Sequence, residues 1–247
     1  AGECVLEAHG ISTDTILQKV NLKLHRGEIV GLAGMVGSGR TELARALFGA
    51  DKLISGEIKL MGERVEFSSP ADAIRKKISL VPEDRKQQGL FTALPIKNNI
   101  TLPILKKISN WFLLNRKMES ALVESSKKQL SISMASEHLD VQFLSGGNQQ
   151  KVVLAKWLHT KPEVIIMDEP TRGVDVGAKF EIYQLMRRLT EEGIAILMIS
   201  SELPEILGLS DRILVMSEGR IVAELEHAEA SEEKIIEYAT MGESKAA

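Results

Sequence analysis

The chain has 247 residues, of which 44% are hydrophobic and 26% charged, and its formal net charge is -3. This is the composition of an ordinary globular protein, and the bulk basic footprint typical of nucleic-acid binding is missing, so we expect no nucleic-acid partner. The only cysteine, Cys4, excludes a disulfide framework within the chain and an all-cysteine zinc site.

No apolar run approaches the roughly 20 residues that a membrane-spanning helix needs. No signal-peptide pattern opens the chain, which predicts a cytoplasmic setting. The first residues are Ala1 and Gly2 rather than Met. We therefore expect this chain to be the second part of a longer polypeptide.

Strand and helix patterns alternate along most of the chain. Val20, Leu22 and Leu24 alternate with polar residues, as in a half-exposed strand. Strands alternating with helices predict an α/β core with a mainly parallel sheet. In chain order we predict strands at 20–24 and 28–33, a helix at 41–48, a hairpin at 57–67, a strand at 78–81, helices at 118–130 and 149–159, a strand at 163–167, a helix at 178–192, a strand at 194–199, a hairpin at 212–225 and a helix at 231–239.

The pattern changes between about residues 90 and 141, where strand signals vanish and Pro95 and Pro103 interrupt the start. We predict a helical insert there and place Trp111 and Phe112 in its core. The predicted division is one domain with a core at about 1–90 and 155–226, a helical insert at about 91–154, and a C-terminal helix and tail at 227–247.

A glycine-rich segment lies between the strand predicted at 28–33 and the helix predicted at 41–48. Its sequence is Gly34-Met35-Val36-Gly37-Ser38-Gly39-Arg40-Thr41. This is the context of a phosphate loop, whose backbone N–H groups and helix N-terminus surround a phosphate. An ordinary glycine-rich turn is the alternative, because Arg40 stands where the usual lysine would be. The predicted nucleotide contacts are Gly34, Gly37, Ser38, Gly39, Arg40, Thr41 and Glu42, with the Thr41 hydroxyl also on Mg²⁺.

Two acids end the apolar strand predicted at 163–167. In a parallel sheet, ligands bind at the carboxyl ends of strands. We predict that Asp168 reaches the Mg²⁺ ion and that Glu169 is the catalytic general base that polarises the attacking water. A strand followed by a polar turn is the alternative for this segment taken alone.

A third motif opens the helix that precedes the acidic strand. Its sequence is Leu144-Ser145-Gly146-Gly147-Asn148-Gln149-Gln150-Lys151. Here the chain resembles the ATP-binding cassette family, whose signature is LSGGQ-like. A serine and two glycines at a helix N-terminus expose N–H groups that stabilise a phosphate. The resemblance implies that this signature contacts the γ-phosphate held by a partner cassette, through Ser145, Gly146, Gly147 and Gln149.

The resemblance covers nearly the whole chain. It implies a P-loop NTPase fold with a RecA-like core, an antiparallel β subdomain and a helical insert. Residues 81–83 fall at the family's Q-loop, which makes Glu83 a predicted metal ligand beside Thr41 and Asp168. Residues 171–175 fall at the D-loop, which crosses to the partner's site. Residues 199–203 fall at the switch region, where Ser201 is the predicted γ-phosphate contact.

Three residues depart from the family pattern. Arg40 replaces the phosphate-loop lysine, Glu83 the Q-loop glutamine and Ser201 the switch histidine. Together with 144–151 and 170–178, they resemble the second cassette of bacterial ribose, galactose and xylose importers, in which two cassettes are fused. This implies ATP and Mg²⁺ as cofactors, a second cassette fused N-terminally, an integral membrane permease, and a peripheral position at the cytoplasmic face of the membrane. It also implies slow hydrolysis at this chain's own site.

Other functions compete with this interpretation. In the first alternative, Arg40 replaces the lysine adequately and the site is fully competent in hydrolysis. In the second, the chain is a regulatory half that binds nucleotide without hydrolysing it. A cassette acting on DNA or ribosomes is the third alternative, although long coiled coils, cysteine-rich zinc inserts and long charged linkers are absent. After the Q-loop, Arg85, Lys86 and Gln88 either meet the permease or are solvated.

Overall fold

The computed structural model describes residues 2–110 and 113–240. Trp111, Phe112 and the end of the predicted tail, from 241 onward, lie outside the described residues. Within the described ranges, no helix combines the length and the apolar character that crossing a membrane requires.

The strands form two main sheets and one short hairpin. Their bounds are β1 (Cys4–Ser12), β2 (Val20–His25), β3 (Ile29–Gly34), β4 (Ser55–Leu60), β5 (Glu63–Val65), β6 (Ile78–Val81), β7 (Ser109–Asn110), β8 (Leu113–Leu114), β9 (Val164–Asp168), β10 (Ala195–Ile199), β11 (Arg212–Ser217) and β12 (Arg220–Glu226).

The α-helices are mostly short, and a π-helical turn at Arg85–Gly89 precedes the third of them. Their bounds are α1 (Arg40–Leu47), α2 (Pro70–Arg75), α3 (Ile96–Thr101), α4 (Leu105–Ile108), α5 (Arg116–Gln129), α6 (Gly146–Leu158), α7 (Val176–Glu191), α8 (Leu203–Leu209) and α9 (Glu232–Thr240).

The chain divides into two compact units. Of the described residues, the first contains 2–80, 163–169 and 186–240, and the second contains 81–110, 113–162 and 170–185. The sequence-based division ran the core to about residue 90 and resumed it at 155, whereas 81–90, 155–162 and 170–185 belong to the second unit. The reason is local packing: the buried Lys156 ammonium on α6 donates to the carbonyl of Gly89, which ends the π-helical turn.

The six-stranded sheet has the order β12-β11-β3-β10-β9-β6. The pairs β11–β3, β3–β10 and β10–β9 are parallel, and β12 is antiparallel to β11. Every residue of β9 and β10 is buried, as expected for parallel strands covered on both faces. The predicted α/β class and mainly parallel sheet are confirmed.

The central register of this sheet decides where the chemistry lies. Ile199, at the end of β10, pairs with Leu32 of β3 on one side and with Asp168 of β9 on the other. The segments that follow β3, β9 and β10 therefore leave the sheet at one edge, next to each other.

The second sheet of the first unit is antiparallel, with the order β2-β1-β4-β5. Strand β2 alternates between buried and exposed residues, as predicted from Val20, Leu22 and Leu24. Strand β1 was not predicted from its sequence pattern. Two register shifts against β2 interrupt its pairing, and its burial pattern does not alternate regularly.

The second unit is mainly helical, and the predicted insert helix appears as α5. Four short helices, α2, α3, α4 and α8, were missed in the two units together. A proline lies at the first turn of α2 and α8 and at the N-cap of α3. Proline reads as an interruption in a sequence, yet it suits a helix start because its missing N–H is not needed there.

Candidate nucleotide-binding site

The phosphate loop occupies the turn between β3 and α1 in the first unit. Gly37 has a positive φ of 80°, and a Cβ atom there would meet no atom within 4 Å. Gly34 also has a positive φ, and a Cβ there would lie 2.7 Å from the Ser38 hydroxyl oxygen. Glycine is thus required at Gly34 by close packing, whereas the space at Gly37 lets a ligand approach the backbone.

The Ser38 side chain is the clearest sign that this loop receives a ligand. Ser38 is 5% exposed, and its hydroxyl oxygen has no hydrogen-bond partner in the structure. Its backbone is held by Gly219, whose N–H donates to the Ser38 carbonyl at 2.8 Å. A buried polar atom without a partner is costly, so a loop that carries one fits an oxygen-rich ligand such as a phosphate.

Thr41 and Asp168 meet where α1 begins and β9 ends. The Thr41 hydroxyl hydrogen-bonds to the Asp168 carboxylate, which is 3% exposed. The pKa of Asp168 is raised to about 6, chiefly by burial and also by the charges of Glu169 and Glu42, while the Thr41 hydrogen bond and the Arg40 charge act in the opposite direction. A hydroxyl beside a buried carboxylate is an oxygen donor set that Mg²⁺ accepts, because Mg²⁺ takes one or two protein ligands together with phosphate and water.

This pair of oxygen donors is small, and the described residues offer no larger cluster of acidic, histidine or cysteine ligands in its place. Across residues 2–110 and 113–240, no group of three or more His, Cys, Asp or Glu side chains is placed to hold a metal ion. The predicted ligand Glu83 belongs to the second unit, where its carboxylate forms a salt bridge with Arg172. Its role as a metal ligand stays a prediction.

Glu169 follows Asp168 with a left-handed backbone, at φ 48°. Its N–H donates to the carbonyl of Ile199 at 2.9 Å, and its carboxylate accepts a hydrogen bond of 3.1 Å from the Ser201 hydroxyl. Burial raises the pKa of Glu169, while the Ser201 hydrogen bond and the Arg40 charge lower it. The structure thus places the predicted base beside the predicted switch residue, with a backbone conformation that is uncommon for a non-glycine residue.

Arg40 does not extend freely from the start of α1. One guanidinium nitrogen donates to the carbonyl of Ser200 at 2.9 Å. Burial lowers the pKa of Arg40, and the charges of Glu169 and Asp168 oppose that shift. Arg40 therefore joins the phosphate loop to the end of β10, a contact that the sequence did not indicate.

The signature begins α6 in the second unit. Ser145 is the N-cap, and its hydroxyl oxygen accepts from the Asn148 N–H at 3.4 Å and from the Asn148 side chain at 3.0 Å. We predicted that this helix begins at Gln149, whereas it begins at Gly146. The earlier start follows from the Ser145 cap, which includes both glycines in the first turn of the helix. The glycines are also close-packed: a Cβ at Gly146 would lie 2.7 Å from the carbonyl oxygen of Gly173 in the D-loop.

Gln149 has a structural contact that sequence reasoning missed. It is 4% exposed, and its side-chain nitrogen donates to the carbonyls of Val141 and Leu144 at 3.3 and 3.2 Å. Gln149 thereby stabilises the turn that leads into the signature. Its contact with nucleotide stays a prediction.

Comparisons with known proteins agree with this geometry. An ABC transporter family model matches residues 17–172. The chain is 48% identical to a ribose import ATP-binding protein of Bacillus subtilis and 49% identical to a xylose import ATP-binding protein of Thermoanaerobacter pseudethanolicus. Each match covers 98% of this chain and 49% of the relative, so the chain spans about half the length of these relatives.

A solved structure has the same fold. A nucleotide-free ATP-binding cassette from an ABC transporter superposes with a TM-score of 0.80 at 22% identity, and the match covers 98% of each chain. The predicted P-loop NTPase fold is confirmed. With the phosphate loop, the acidic pair and the signature in the family's order, the chain belongs to the ABC transporter family.

Proposed function

We propose that this chain is a cassette that binds MgATP, pairs with a second cassette and drives import of a monosaccharide through a membrane permease. The observation that carries the proposal is the meeting of Thr41, Asp168 and Glu169 beside a phosphate loop with a buried, unpartnered hydroxyl. The sugar class comes from the names of the relatives, which import ribose or xylose.

Each group of site residues has its own role in ATP binding or hydrolysis. The N–H groups from Gly37 to Thr41 bind phosphate oxygens at the positive end of α1. Thr41 and Asp168 hold Mg²⁺, which neutralises phosphate charge when bound. Glu169 accepts a proton from the attacking water, and the Ser201 hydroxyl fixes the carboxylate that does so.

Two of the departures reduce hydrolysis at this site. The Arg40 guanidinium is engaged by the Ser200 carbonyl, and Ser201 cannot carry a positive charge toward the γ-phosphate. Each missing cationic contact costs on the order of 3 kcal/mol of transition-state stabilisation, about a hundredfold in rate. We therefore expect ATP to bind here and to turn over slowly.

The partners follow from the second unit and from chain length. The signature at Ser145–Gly147 serves the phosphate loop of the other cassette. A fused second cassette fits the length of the relatives, of which this chain matches 49%. The assembly lies peripherally at the cytoplasmic face of the membrane, against its permease, and does not act on nucleic acid.

The experiment uses the full two-cassette protein reconstituted with its permease in vesicles. ATP-dependent uptake of ribose, xylose and galactose is measured for wild type and for Glu169→Gln. We expect uptake of one of these sugars and loss of only a minor share of ATP hydrolysis in the variant. Absence of MgATP binding by the chain, or of uptake of any monosaccharide, contradicts the proposal.

Two alternatives give different outcomes in the same assay. A fully competent site predicts that Glu169→Gln removes a large share of hydrolysis, which the retained Thr41, Asp168 and Glu169 favour. A binding-only regulatory half predicts nucleotide-dependent association with the first cassette and no phosphate release from this site, which the engaged Arg40 favours. Single-turnover phosphate release separates these two outcomes.

A further inference from the structure

We infer that Arg85 is a positioning residue that joins the D-loop to the start of the signature helix α6, so that both segments form one rigid surface. The juxtaposition lies wholly within the second unit. Only its consequence, that this surface receives a phosphate from the partner cassette, rests on the proposed function.

The guanidinium of Arg85 binds two consecutive carbonyl groups of the D-loop. One terminal nitrogen donates to the Arg172 carbonyl at 2.6 Å, and the other donates to the Gly173 carbonyl at 3.0 Å. Gly173 has a left-handed backbone, at φ 64°. A planar fork matches two adjacent acceptors, whereas the single ammonium of a lysine does not, so the residue type suits this contact.

The same guanidinium lies against the first turn of α6. A Cβ atom at Gly146 would be 2.8 Å from an Arg85 terminal nitrogen and 2.7 Å from the Gly173 carbonyl oxygen. At the next residue, a Cβ on Gly147 would be 2.7 Å from the Ala178 Cβ and 3.3 Å from an Asp175 carboxylate oxygen. The two signature glycines therefore pack directly onto the D-loop and the residues that follow it.

Arg85 is itself held in place. The Asp84 side chain caps the π-helical turn by accepting from the N–H groups of Lys86 and Gln87 at 2.9 and 3.1 Å. At the other end of the turn, the Gly89 carbonyl accepts from the Lys156 ammonium. The Arg85 Nε atom is buried without a partner, and burial lowers the pKa of Arg85. The guanidinium thus makes its hydrogen bonds within the chain.

The D-loop has a second link to the segment that carries Arg85. The side chain of Arg172 forms a salt bridge with Glu83, two residues before Arg85. Arg172 thus contributes its carbonyl to Arg85 and its guanidinium to Glu83. These contacts connect the Q-loop, the D-loop and the signature in one network.

The direct test is amide hydrogen exchange on this chain. We compare wild type with Arg85→Ala, with Arg85→Lys, and with Arg116→Ala, a control at an exposed arginine at the start of α5. In Arg85→Ala, the hydrogen-bonded amides of both segments, Asn148 and Gln149 in one and Val174 in the other, should exchange faster together, by about tenfold or more. Arg85→Lys should be intermediate and Arg116→Ala unchanged. Faster exchange in one segment alone, or in neither, overturns the inference, and the lysine variant decides the matter if the alanine variant does not fold.

The functional test uses the full two-cassette protein. We expect Arg85→Ala to lower hydrolysis at the first cassette's site by about tenfold while leaving MgATP affinity at this chain's own phosphate loop unchanged. If the wild type hydrolyses ATP and Arg85→Ala does so at the same rate, the positioning role of Arg85 is overturned. Absence of hydrolysis in the wild type contradicts the proposed function, and hydrogen exchange then still decides on the Arg85 contact.

Discussion

The phosphate-loop region of the first unit and the signature region of the second differ in how their charged side chains are held. Around the phosphate loop, the Ser38 hydroxyl has no partner, and burial raises the pKa of both Asp168 and Glu169. Around the signature, Arg85 is bound by two carbonyls and Glu83 by Arg172.

Both regions keep a buried polar atom without a partner, Ser38 Oγ in the first and Arg85 Nε in the second. The contrast therefore lies in the charged groups, which are buried acids around the phosphate loop and hydrogen-bonded or salt-bridged groups around the signature. Buried acids with raised pKa values destabilise the folded chain, and a bound cation and phosphate would relieve that cost. The signature network instead fixes the shape of a surface.

Asp168→Asn should have opposite effects on binding and on stability. Losing the carboxylate should weaken Mg²⁺-dependent ATP binding by about a hundredfold, or about 3 kcal/mol. Without ligand, the same change should raise the free energy of unfolding at pH 7 by about 1–3 kcal/mol, because a buried charge is removed. Calorimetric titration and urea unfolding measure the two effects.

The pH dependence of that stability difference has a definite sign. The pKa of Asp168 in the folded chain is about 6, above its ordinary value of 3.8, so the folded state holds the proton more tightly. The stability that this proton contributes is complete below pH 3.8 and is lost as the pH rises through about 6. The free energies of unfolding of wild type and Asp168→Asn should therefore be most similar at low pH, and the variant should become increasingly more stable than wild type from pH 4 to 7. A stability difference that stays constant over this range would contradict the assignment.

Gly146→Ala should destabilise the second unit although alanine favours helices. The added Cβ would meet the Gly173 carbonyl at 2.7 Å, and overpacking of this kind costs about 1–3 kcal/mol. Gly208→Ala in α8 is the matched control: its Cβ meets nothing within 4 Å, so it should stabilise the chain by about 0.5–1 kcal/mol. Urea unfolding followed by fluorescence compares them, and equal effects would remove the packing argument.

Lys156 should give a pH dependence opposite to that of Asp168. Burial lowers the pKa of Lys156 from 10.5 to about 8, so the unfolded chain binds the proton more tightly. The free energy of unfolding should rise between about pH 8 and 10.5, by about 1–2 kcal/mol because the Gly89 carbonyl and the Trp157 ring offset part of the burial cost. Lys156→Met should lose this rise in urea titrations at pH 8 and 10, and a variant that keeps it would refute the assignment.

Ser201→Ala should have the smallest effect, on the pH profile rather than on folding. The hydroxyl donates to Glu169 and lowers the pKa of that carboxylate, so its removal should shift the acidic limb of the hydrolysis profile to higher pH. We expect a change of a few-fold or less in the maximal rate. A shift in the opposite direction would exclude Ser201 as a stabiliser of ionised Glu169.

The local elements of the site could be predicted from the amino-acid sequence. The phosphate loop, Asp168, Glu169 and the Ser145 cap each lie where a strand meets a loop or a loop meets a helix, and such junctions depend on residues next to each other in the chain. The alternating pattern also determined the class of fold, because each predicted strand and helix must bury one face.

The contacts between groups that are distant in the chain could not be predicted in this way, because they depend on the folded structure. Gly219, which the sequence marked as a hairpin turn, binds the carbonyl of Ser38, and Arg40 binds the carbonyl of Ser200. Arg85 meets Arg172 and Gly173, which are far along the chain. These contacts involve backbone carbonyls and N–H groups, which every residue carries, so side-chain patterns in a sequence contain no signal for them.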